Sequence, residues 1–463
     1  MFRSLFNTFT NCFKIPELKS RILFTLGLLA VCRLISWVRI PGLNGEALAV
    51  YFKQTASGGM LDLFNTFAGG ALEHCAIGSL GIMPYISSTI ILQLLTAVWP
   101  RLSKLAREEN GRSKIIQYGR VGTLLLCLGQ GLFFAMSWEH PQNLFHGFNE
   151  QLVLDPGWWY RIQTVLLMTT GTMLLMWLGE QITERGIGNG VSLVITIGIV
   201  ARLPRALVSV KDLFWPAGNV QSNYHLAGTG LVLIILLVLV IGGVIAITQA
   251  QRKVPVQYAQ RAVGRKMYSG GTSFMPLRVN FSGVMPIIFA QSILMFPQQL
   301  FSRAANVPPF SGVPFLHDSF LWVARNLSSG SILYLVVYSL MIIFFAYFWV
   351  ATQFNELQIA DDLKKNGGYI PGVRPGQGTS DYLHKSMSRI TLAGAFFLMV
   401  IAVIPIVMSR WMAIPYDVSQ FFGGTSILIT VGVLLDTMRQ VESHLMMRHY
   451  DGFLKKGRLR GRF

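Results

Sequence analysis

The chain has 463 residues, of which 52% are hydrophobic and only 13% are charged, and its formal net charge at pH 7 is +18. Soluble domains usually carry about 25% charged residues, so this composition excludes an ordinary water-soluble domain. The apolar residues fall in long blocks, and a helix needs about 20 mostly apolar residues to cross the hydrocarbon core of a bilayer. Because the blocks are continuous and do not alternate, they favour membrane-spanning helices over a closed barrel.

Ten of these blocks are long enough to cross a membrane, which predicts an all-α polytopic membrane protein with ten transmembrane helices. The predicted spans are 22–38, 76–99, 117–138, 160–180, 189–207, 228–248, 282–302, 330–352, 390–410 and 417–437. Residues 1–21 place several phenylalanines near one helical face with basic residues around them. That arrangement predicts a cytoplasmic interfacial segment that lies on the membrane before the first span.

The second block differs from a plain span, because a half-apolar stretch precedes it and glycines interrupt it. Residues 61–74 contain Gly69 and Gly70, and the block itself contains Gly81 and Pro84. This pattern predicts a discontinuous helix with a short first half, a glycine hinge and a longer second half. Irregular backbone at membrane depth occurs only where protein buries it or where it lines a water-filled cavity, so the pattern is a first indication of a pore.

The positive charges predict the orientation of the chain. Ten spans put both ends on one side of the membrane, and that side holds 29 of the 39 lysines and arginines. Because cytoplasmic segments are enriched in these residues, both termini are predicted to be cytoplasmic. The net charge follows mainly from this asymmetry and does not indicate a nucleic-acid partner.

Two predicted cytoplasmic loops are longer than simple connections. Residues 249–280 carry six basic residues and no acidic residue, and residues 352–389 contain the turn-rich sequence NGGYIPGVRPGQG around Arg374. Long loops in compact proteins usually have a function, which favours a docking surface. The alternative is a basic flank that contacts anionic lipid headgroups, which explains the charge but not the glycines, prolines and tyrosine.

The motifs of common enzyme classes are missing from the sequence. It contains no GxxxxGK[ST] phosphate loop, no HExxH and no GxSxG, and the glycine-rich GIGNG at 186–190 lacks the nucleotide-binding spacing. The four cysteines form no CxxC pair and no spacing typical of a metal site. We therefore predict no catalytic residue, no cofactor and no metal ligand.

Charged side chains in the middle of spans are scarce, although secondary transporters usually need them for ion or proton coupling. Arg33, Glu180, Arg202 and Asp436 all fall near span ends. For each of them, snorkelling to the interface or pairing with a loop is the simpler interpretation. The chain therefore resembles a passive conduit without an energy source of its own.

The polar residues that do lie in spans are uncharged. Gln93 lies in the second span, Asn189 opens the fifth, and Gln291 lies in the seventh. Each could hydrogen-bond a neighbouring helix, a contact that contributes about 1 kcal/mol. The functional alternative is a polar latch that holds two helices closed until something displaces it.

Several longer motifs make the sequence specific. The segment GGALEHCAIGSLGIMPYISSTIILQLLTAVWP at 69–100 resembles the plug and second helix of the SecY family, whose members are the central subunits of the bacterial protein-translocation channel. Other segments resemble the family's fourth and fifth helices (171–195), fourth cytoplasmic loop (254–266), seventh helix (276–297), fifth cytoplasmic loop (360–376) and tenth helix (421–429). The resemblance covers essentially the whole chain, in order.

The resemblance implies two pseudo-symmetric halves around a central pore, which a plug half-helix at about 61–74 closes by hinging at Gly69 and Gly70. The N-terminal half would comprise 22–210 with spans 1–5, and the C-terminal half 211–438 with spans 6–10, followed by a basic cytoplasmic tail at 439–463. A ring of branched aliphatic side chains would line the waist, where a narrow apolar constriction dewets and blocks ions. Carried over residue by residue, the ring consists of Ile82, Ile86, Val191, Ile195, Ile288 and Ile429.

The resemblance also implies a polar latch and docking residues. The latch would comprise Thr89, Gln93 and Asn189, and a lateral gate would lie between spans 2 and 3 on one side and spans 7 and 8 on the other. Docking of the motor ATPase SecA or of the ribosome would depend on Arg265, Lys266, Arg374 and Tyr450. The other implied partners are the small membrane subunits SecE and SecG, the signal sequences of preproteins and membrane lipid, at the bacterial cytoplasmic (inner) membrane.

Three classes of function make different predictions from the sequence. A translocation channel predicts apolar waist residues, a mobile plug and no coupling ion. A secondary transporter predicts charged residues in mid-span, and an intramembrane enzyme predicts a nucleophile with a base, or paired acids, at pore depth. The scarcity of charged residues in mid-span favours a channel over a secondary transporter. The resemblance implies a protein-conducting channel that passes unfolded secretory polypeptides and releases apolar segments sideways into lipid.

Overall fold

A computed structural model of the chain describes residues 15–54, 60–108, 111–141, 148, 150–214, 226–258, 261–263, 266–268, 271–304, 314–327, 331–411, 418–419 and 425–456. The described residues form two compact units. The first draws on Met1–Val210 and Ile429–Phe463, and the second on Lys211–Leu428. Each unit is mainly helical, as the long apolar blocks predict.

The first unit contains eight complete helices and most of two others among its described residues. They are α1 (Pro16–Ile35), α2 (Gly45–Gln54), α3 (Met60–Phe67), α4 (Met83–Val98), α5 (Pro100–Arg107), α6 (Gly111–Glu139), α7 (Trp158–Arg185), α8 (Gly190–Val200), α9 (Leu203–Phe214) and, from Ile429 onward, α16 (Thr425–Lys456). A short 3-10 helix, Ile77–Leu80, precedes α4. The helices α1, α6 and α8 and the 3-10 helix all pack against α7, which makes α7 the centre of the unit.

The second unit combines helices with short strands. Its helices are α10 (Leu226–Gln249), α11 (Met285–Ala304), α12 (Pro314–Asn326), α13 (Ile332–Gln353), α14 (Glu356–Lys365) and α15 (Gln377–Trp411), and its strands are β1 (Gln251–Tyr258), β2 (Arg261–Val263), β3 (Lys266–Tyr268), β4 (Thr272–Arg278) and β5 (Gly368–Tyr369). Helix α13 packs against both α11 and α15, and α10 packs against α15.

Seven helical segments among the described residues are long and apolar enough to cross a membrane. They are Ile77–Val98, Ser113–Glu139, Trp158–Arg185, Gly190–Lys211, Gly230–Gln249, Ile332–Lys365 and Gln377–Met408. A helix also lies at the first, seventh and tenth predicted spans, as α1, α11 and α16. Because charged residues interrupt α1 and α16 and the apolar part of α11 is short, the total of ten spans stays a prediction.

Helix α10 shows how these segments expose apolar side chains to a bilayer. Its side chains are apolar on every face, and among those from residue 230 onward the fully buried ones are Leu233, Val240 and Val244. Apolar side chains on the other faces, such as Leu231 and Val238, are exposed. A helix that is hydrophobic all round cannot leave such surfaces in water, so the bilayer is their solvent.

The first predicted cytoplasmic loop, 249–280, contains a regular antiparallel sheet. The strand order of the three-stranded sheet is β4-β1-β5, with Gln251 opposite Arg278 and Gln257 opposite both Thr272 and Tyr369. Strands β2 and β3 form a separate two-stranded ribbon. The sequence analysis predicted no strand here, although Val254 and Val256 alternate with exposed neighbours, which is the period of a half-buried strand.

The second predicted loop, 352–389, is also ordered. It contains α14, β5 and the beginning of α15, which starts 13 residues before the predicted ninth span. The loops and the ends of α13 and α15 share one apolar core, which consists of Val254, Leu277, Val350, Phe354, Ile370, Leu383, Met387 and Ile390. This core makes the two loops one folded body of the second unit.

Candidate plug and pore-lining site

The predicted plug is a short helix followed by a long turn. Helix α3 ends at Phe67, earlier than the predicted end at residue 74, and the chain then turns from 68 to 75. The backbone N–H of Gly70 donates to the carbonyl of Asn65 at 2.8 Å. Gly69 and Gly70 have φ angles of +68° and +85°, a region that glycine adopts without steric cost. The hinge glycines thus end the helix in a conformation that other residues rarely adopt.

The turn lies directly against helix α8. A Cβ added to Gly69 would lie 3.0 Å from the Cα of Gly198 and 2.8 Å from Nη1 of Arg33. The Arg33 guanidinium donates a hydrogen bond to the Gly69 carbonyl. Two glycines therefore let the plug backbone approach α8 closely, and Arg33 of α1 fixes that position.

Replacing Gly69 with alanine is expected to weaken the closed position of the plug. The positive φ angle costs about 1–2 kcal/mol for a residue with a Cβ, and the crowding against Gly198 adds to this cost. We expect a higher ion leak through the predicted pore, measured in proteoliposomes. Gly42→Ala is the control, since Gly42 has φ +81° but open space around it. An equal leak in the parent and Gly69→Ala would contradict a closing role for this turn.

A second glycine turn separates the 68–75 turn from α4. Gly81 has a φ angle of +57°, and a Cβ there would lie 3.0 Å from the Cα of Ala68. The chain therefore packs this second turn against the plug turn, with Ala68, Ala71 and Ala76 forming a small buried cluster. Small side chains permit this close backbone packing. Pro84 lies in the first turn of α4, where a missing N–H has no cost.

Five of the six predicted ring residues belong to the first unit. Ile82, Ile86, Ile195 and Ile429 are buried, and Val191 is half-buried. Ile82 lines a small cavity of about 20 Å³ together with residues of the plug turn, α1, α7 and α8. The remaining lining residues are Cys32, Arg33, Ser36, Phe67, Ala68, Gly69, Gly81, Leu175, Val194, Ile197 and Gly198. The structure thus brings Ile82 together with the plug turn.

The sixth ring residue belongs to the second unit. Ile288 is a buried residue of α11. The predicted ring therefore draws on both units, and its closure around a pore stays a prediction. Each of the six predicted ring residues has a branched aliphatic side chain, and a narrow constriction lined by such side chains excludes water.

Two arginines that the sequence analysis placed near span ends contact the plug. Arg33 binds the Gly69 carbonyl, and the guanidinium of Arg202 donates to Oγ1 of Thr66 in α3. The Arg33 contact is the pairing with a loop that the sequence allows, whereas Arg202 contacts a helix. The location of Arg33 and Arg202 at the ends of apolar spans could have indicated these contacts. A cation at the end of a span is directed toward nearby polar segments.

The three predicted latch residues make local contacts. Thr89 Oγ1 donates to the carbonyl of Tyr85 one turn earlier at 2.8 Å, and Gln93 is half-buried on the same helix. Asn189 is exposed and its Oδ1 accepts a hydrogen bond from the N–H of Ser192 at 3.2 Å, which caps α8. These contacts leave the latch itself a prediction, because each is made within one element.

Substitutions of Asn189 separate its cap from the predicted latch. Asn189→Ala removes the capping oxygen, which is expected to cost about 1 kcal/mol of stability, whereas Asn189→Ser retains a cap. If the amide also acts as a latch, both variants alter signal-sequence stringency while only alanine lowers the thermal stability. Export assays with weak signals and thermal unfolding in detergent measure the two effects. A serine variant identical to the parent in both assays would leave Asn189 as a helix cap only.

The loop that contains GIGNG lies against α1 and α16. The N–H of Ile187 donates to Oγ1 of Thr25, and the N–H of Gly188 donates to Oε1 of Gln440 at 2.8 Å. Ile187 is buried beside Leu18 and the partly buried Val441. This glycine-rich motif therefore connects α7 to α8 and contacts two further helices.

The predicted docking residues differ in how far the structure describes them. Arg374 is exposed in the turn between β5 and α15. Arg265 lies outside the described residues, and only the backbone is described for Lys266 in β3 and Tyr450 in α16. Among the described residues, no group of three or more His, Cys, Asp or Glu side chains could hold a metal ion.

Comparisons with known sequences find relatives that share one name and one family model. The family model described as SecY matches residues 76–438. A protein called protein translocase subunit SecY from Chlamydia trachomatis is 41% identical over 467 residues, covering 98% of this chain and 99% of its own. Proteins of the same name from Thermotoga maritima and Escherichia coli K12 are 40% and 41% identical and cover 99% and 96% of this chain, and 100% and 96% of their own length.

Comparisons with solved structures find the same fold. A structure described as a protein conducting channel superposes with a TM-score of 0.57 at 15% identity, covering 95% of this chain and 94% of its own. Sec61 in a canine ribosome-channel complex from the endoplasmic reticulum superposes with a TM-score of 0.53 at 15% identity and the same coverage. At such low identity these likenesses concern the arrangement of the helices.

Proposed function

This chain belongs to the SecY family, and we propose that it closes its pore with two devices, an aliphatic ring and a plug formed by residues 60–74. Members of the family are protein translocase channel subunits and not enzymes, and this chain is a multi-pass membrane protein of that kind.

The observation that supports the two closing devices most directly is the contact between them. Ile82 shares a cavity with the 68–70 turn, and that turn packs through Gly69 on α8, the helix of Val191 and Ile195. A branched aliphatic ring blocks ions by dewetting and deforms around any passing side chain, because it has no fixed polar geometry. Displacement of the plug turn would uncover Ile82 and α8 together, so the two devices open as one.

We further propose two halves, spans 1–5 and spans 6–10, that separate at a lateral gate. Spans 2 and 3 would face spans 7 and 8, with Thr89, Gln93 and Asn189 as the polar latch. An apolar segment that reaches the open gate transfers from the pore to the lipid, which is favourable because the bilayer is an apolar solvent. Displacing the uncharged latch costs only about 1 kcal/mol per hydrogen bond, so a signal sequence can supply the energy.

The proposed cytoplasmic partners are the motor ATPase SecA and the ribosome, because the chain has no nucleotide-binding motif of its own. A related channel is part of a ribosome-channel complex. Arg374 and the strands of the second unit would form the receiving surface, with both termini on the same cytoplasmic side. Exposed arginine suits either partner, since its guanidinium pairs bidentately with phosphate or carboxylate. SecE and SecG are the proposed small membrane partners.

The experiment that tests the function is uptake of a secretory preprotein into vesicles. The vesicles contain this chain with SecE, SecG and the motor ATPase, and the readout is ATP-dependent protection of the preprotein from added protease. We expect uptake that requires both the chain and ATP. A failure of uptake, combined with accumulation of a small solute driven by an ion gradient, would instead support a secondary transporter.

A further inference from the structure

The turn that follows the plug helix carries a carboxylate that is bound to the plug itself. Oε2 of Glu73 accepts a hydrogen bond from Nδ2 of Asn65 in α3 at 3.0 Å. In return, the N–H of Glu73 donates to Oδ1 of Asn65 at 3.3 Å. Because Asn65 is fully buried, this reciprocal pair joins the end of the plug helix and its turn into one block.

The same carboxylate connects this block to helix α9. Nη1 of Arg205 donates to Oε2 of Glu73 at 2.8 Å, and Nη2 of Arg205 donates to the carbonyl of Phe52 in α2. The side chains of Arg205 and Glu73 are only 27% and 17% exposed, so solvent screens their attraction less than it does for a surface pair. Arg205 therefore holds the plug block and α2 to α9 at the same time.

The pair lies among further arginine contacts of the predicted plug. Arg33 donates to the Gly69 carbonyl, and Arg202 donates to the Thr66 hydroxyl. Glu73 and Arg205 join two opposite charges across 132 positions of sequence. When one partner of a partly buried pair is removed or moved away, the other charge loses part of its compensation, so this contact opposes displacement of the plug more than a neutral one does.

We propose that Glu73 and Arg205 are positioning residues that clamp the plug, and that their ion pair determines how strong a signal sequence must be to open the channel. The proposal rests on the proposed function of residues 60–74 as the plug. A signal sequence opens the channel only if its binding offsets the loss of the clamp, so the clamp selects for strong signals. Loosening it admits preproteins whose signals are defective.

The test uses the variants Glu73→Gln and Arg205→Gln in the assembled channel. Glutamine at position 73 still accepts the hydrogen bond from Asn65, so this change removes mainly the charge. We expect each variant to increase export of a preprotein with a crippled signal by about tenfold and to raise the resting ion leak. The exchange Glu73→Arg with Arg205→Glu is expected to bring both readouts back toward the parent values.

The matched control is Glu46→Gln. Glu46 pairs with Arg39 at 3.1 Å in the same unit, but these side chains are 77% and 50% exposed. Exposed pairs contribute little, so this variant is expected to behave as the parent does. A general loss of stability would lower export of normal preproteins, whereas loss of the clamp raises export of defective ones.

Deletion of residues 60–74 separates failure of this inference from failure of the proposed plug. In one outcome, the deletion raises the ion leak while correctly inserted Glu73 and Arg205 variants leave it unchanged. That result would contradict the clamp but would support the plug function of the segment. If the deletion leaves the leak unchanged, the plug function itself fails and the clamp fails with it. If the charge exchange restores neither the export of defective preproteins nor the ion leak to the parent values, the ion pair does not determine signal stringency.

Discussion

Replacing Ile86 with asparagine is expected to raise both the resting ion leak and the export of preproteins with defective signals by about tenfold or more. Ile86 is a buried residue of α4, with 4% of its surface exposed, one turn after Ile82. Asparagine there introduces polar groups into an apolar waist, and a buried polar group without partners costs about 1–3 kcal/mol. Because the cost falls on the closed, dry state and is relieved when water enters, the equilibrium shifts toward the open channel.

Two controls separate the waist from the rest of the helix. Ile86→Leu keeps the apolar character and is expected to keep the channel closed. Ile91→Asn places the same polar side chain at a position on α4 that is 47% exposed, away from the buried face, and is expected to leave signal stringency unchanged. The leak is measured with a permeant ion in proteoliposomes. If Ile86→Asn matched the parent in both leak and stringency, the assignment of the ring would be wrong.

Replacing Arg374 with glutamate is expected to reduce ATP-dependent export by at least about tenfold without reducing the amount of channel in the membrane. Arg374 lies in an exposed turn, and among the described residues its guanidinium forms no hydrogen bond or ion pair. The turn is held by other groups, since Oγ1 of Thr379 donates to the carbonyl of Arg374 at 3.0 Å and Gly372 and Gly376 adopt φ angles of +80° and +97°. Charge reversal therefore repels an acidic partner surface without removing a contact that the fold needs.

Lys385→Glu provides the control for Arg374→Glu. Lys385 is also an exposed cation near the start of α15, so its reversal changes the net charge by the same amount. We expect export to remain near the parent level in this variant. Export is measured as protease-protected preprotein, and channel content by quantitative immunoblotting of the same vesicles. Unimpaired export in Arg374→Glu would rule out a docking role for this residue.

Much of the fold could be predicted from the sequence, because the predicted features are local. Each of the ten predicted spans contains a helix, and Gly69 and Gly70 lie at the end of the plug helix with positive φ angles. Consecutive glycines favour a turn and a long run of apolar residues favours a membrane-spanning helix, whatever the rest of the chain does. The strands of the second unit were missed because the basic residues around Val254 and Val256 obscured a short alternating pattern.

The candidate site could be predicted only in part. The family resemblance supplied the ring, the latch and the docking residues, but nothing in the sequence connected Glu73 to Arg205 or Arg202 to Thr66. These pairs lie 132 and 136 positions apart, and each residue alone resembles an ordinary interfacial charge. The close approach of Gly69 to Gly198 was equally invisible, since either glycine could have ended a helix or started a turn.

The sequence by itself determined that this protein crosses a membrane repeatedly as helices. In lipid each segment must satisfy its own backbone hydrogen bonds, so about 20 apolar residues are sufficient to specify a span. Only the tertiary structure decided which charged residues contact the predicted plug, because an ion pair depends on two side chains meeting in space. Helix packing, and not sequence spacing, brings Arg205 of α9 within 2.8 Å of Glu73.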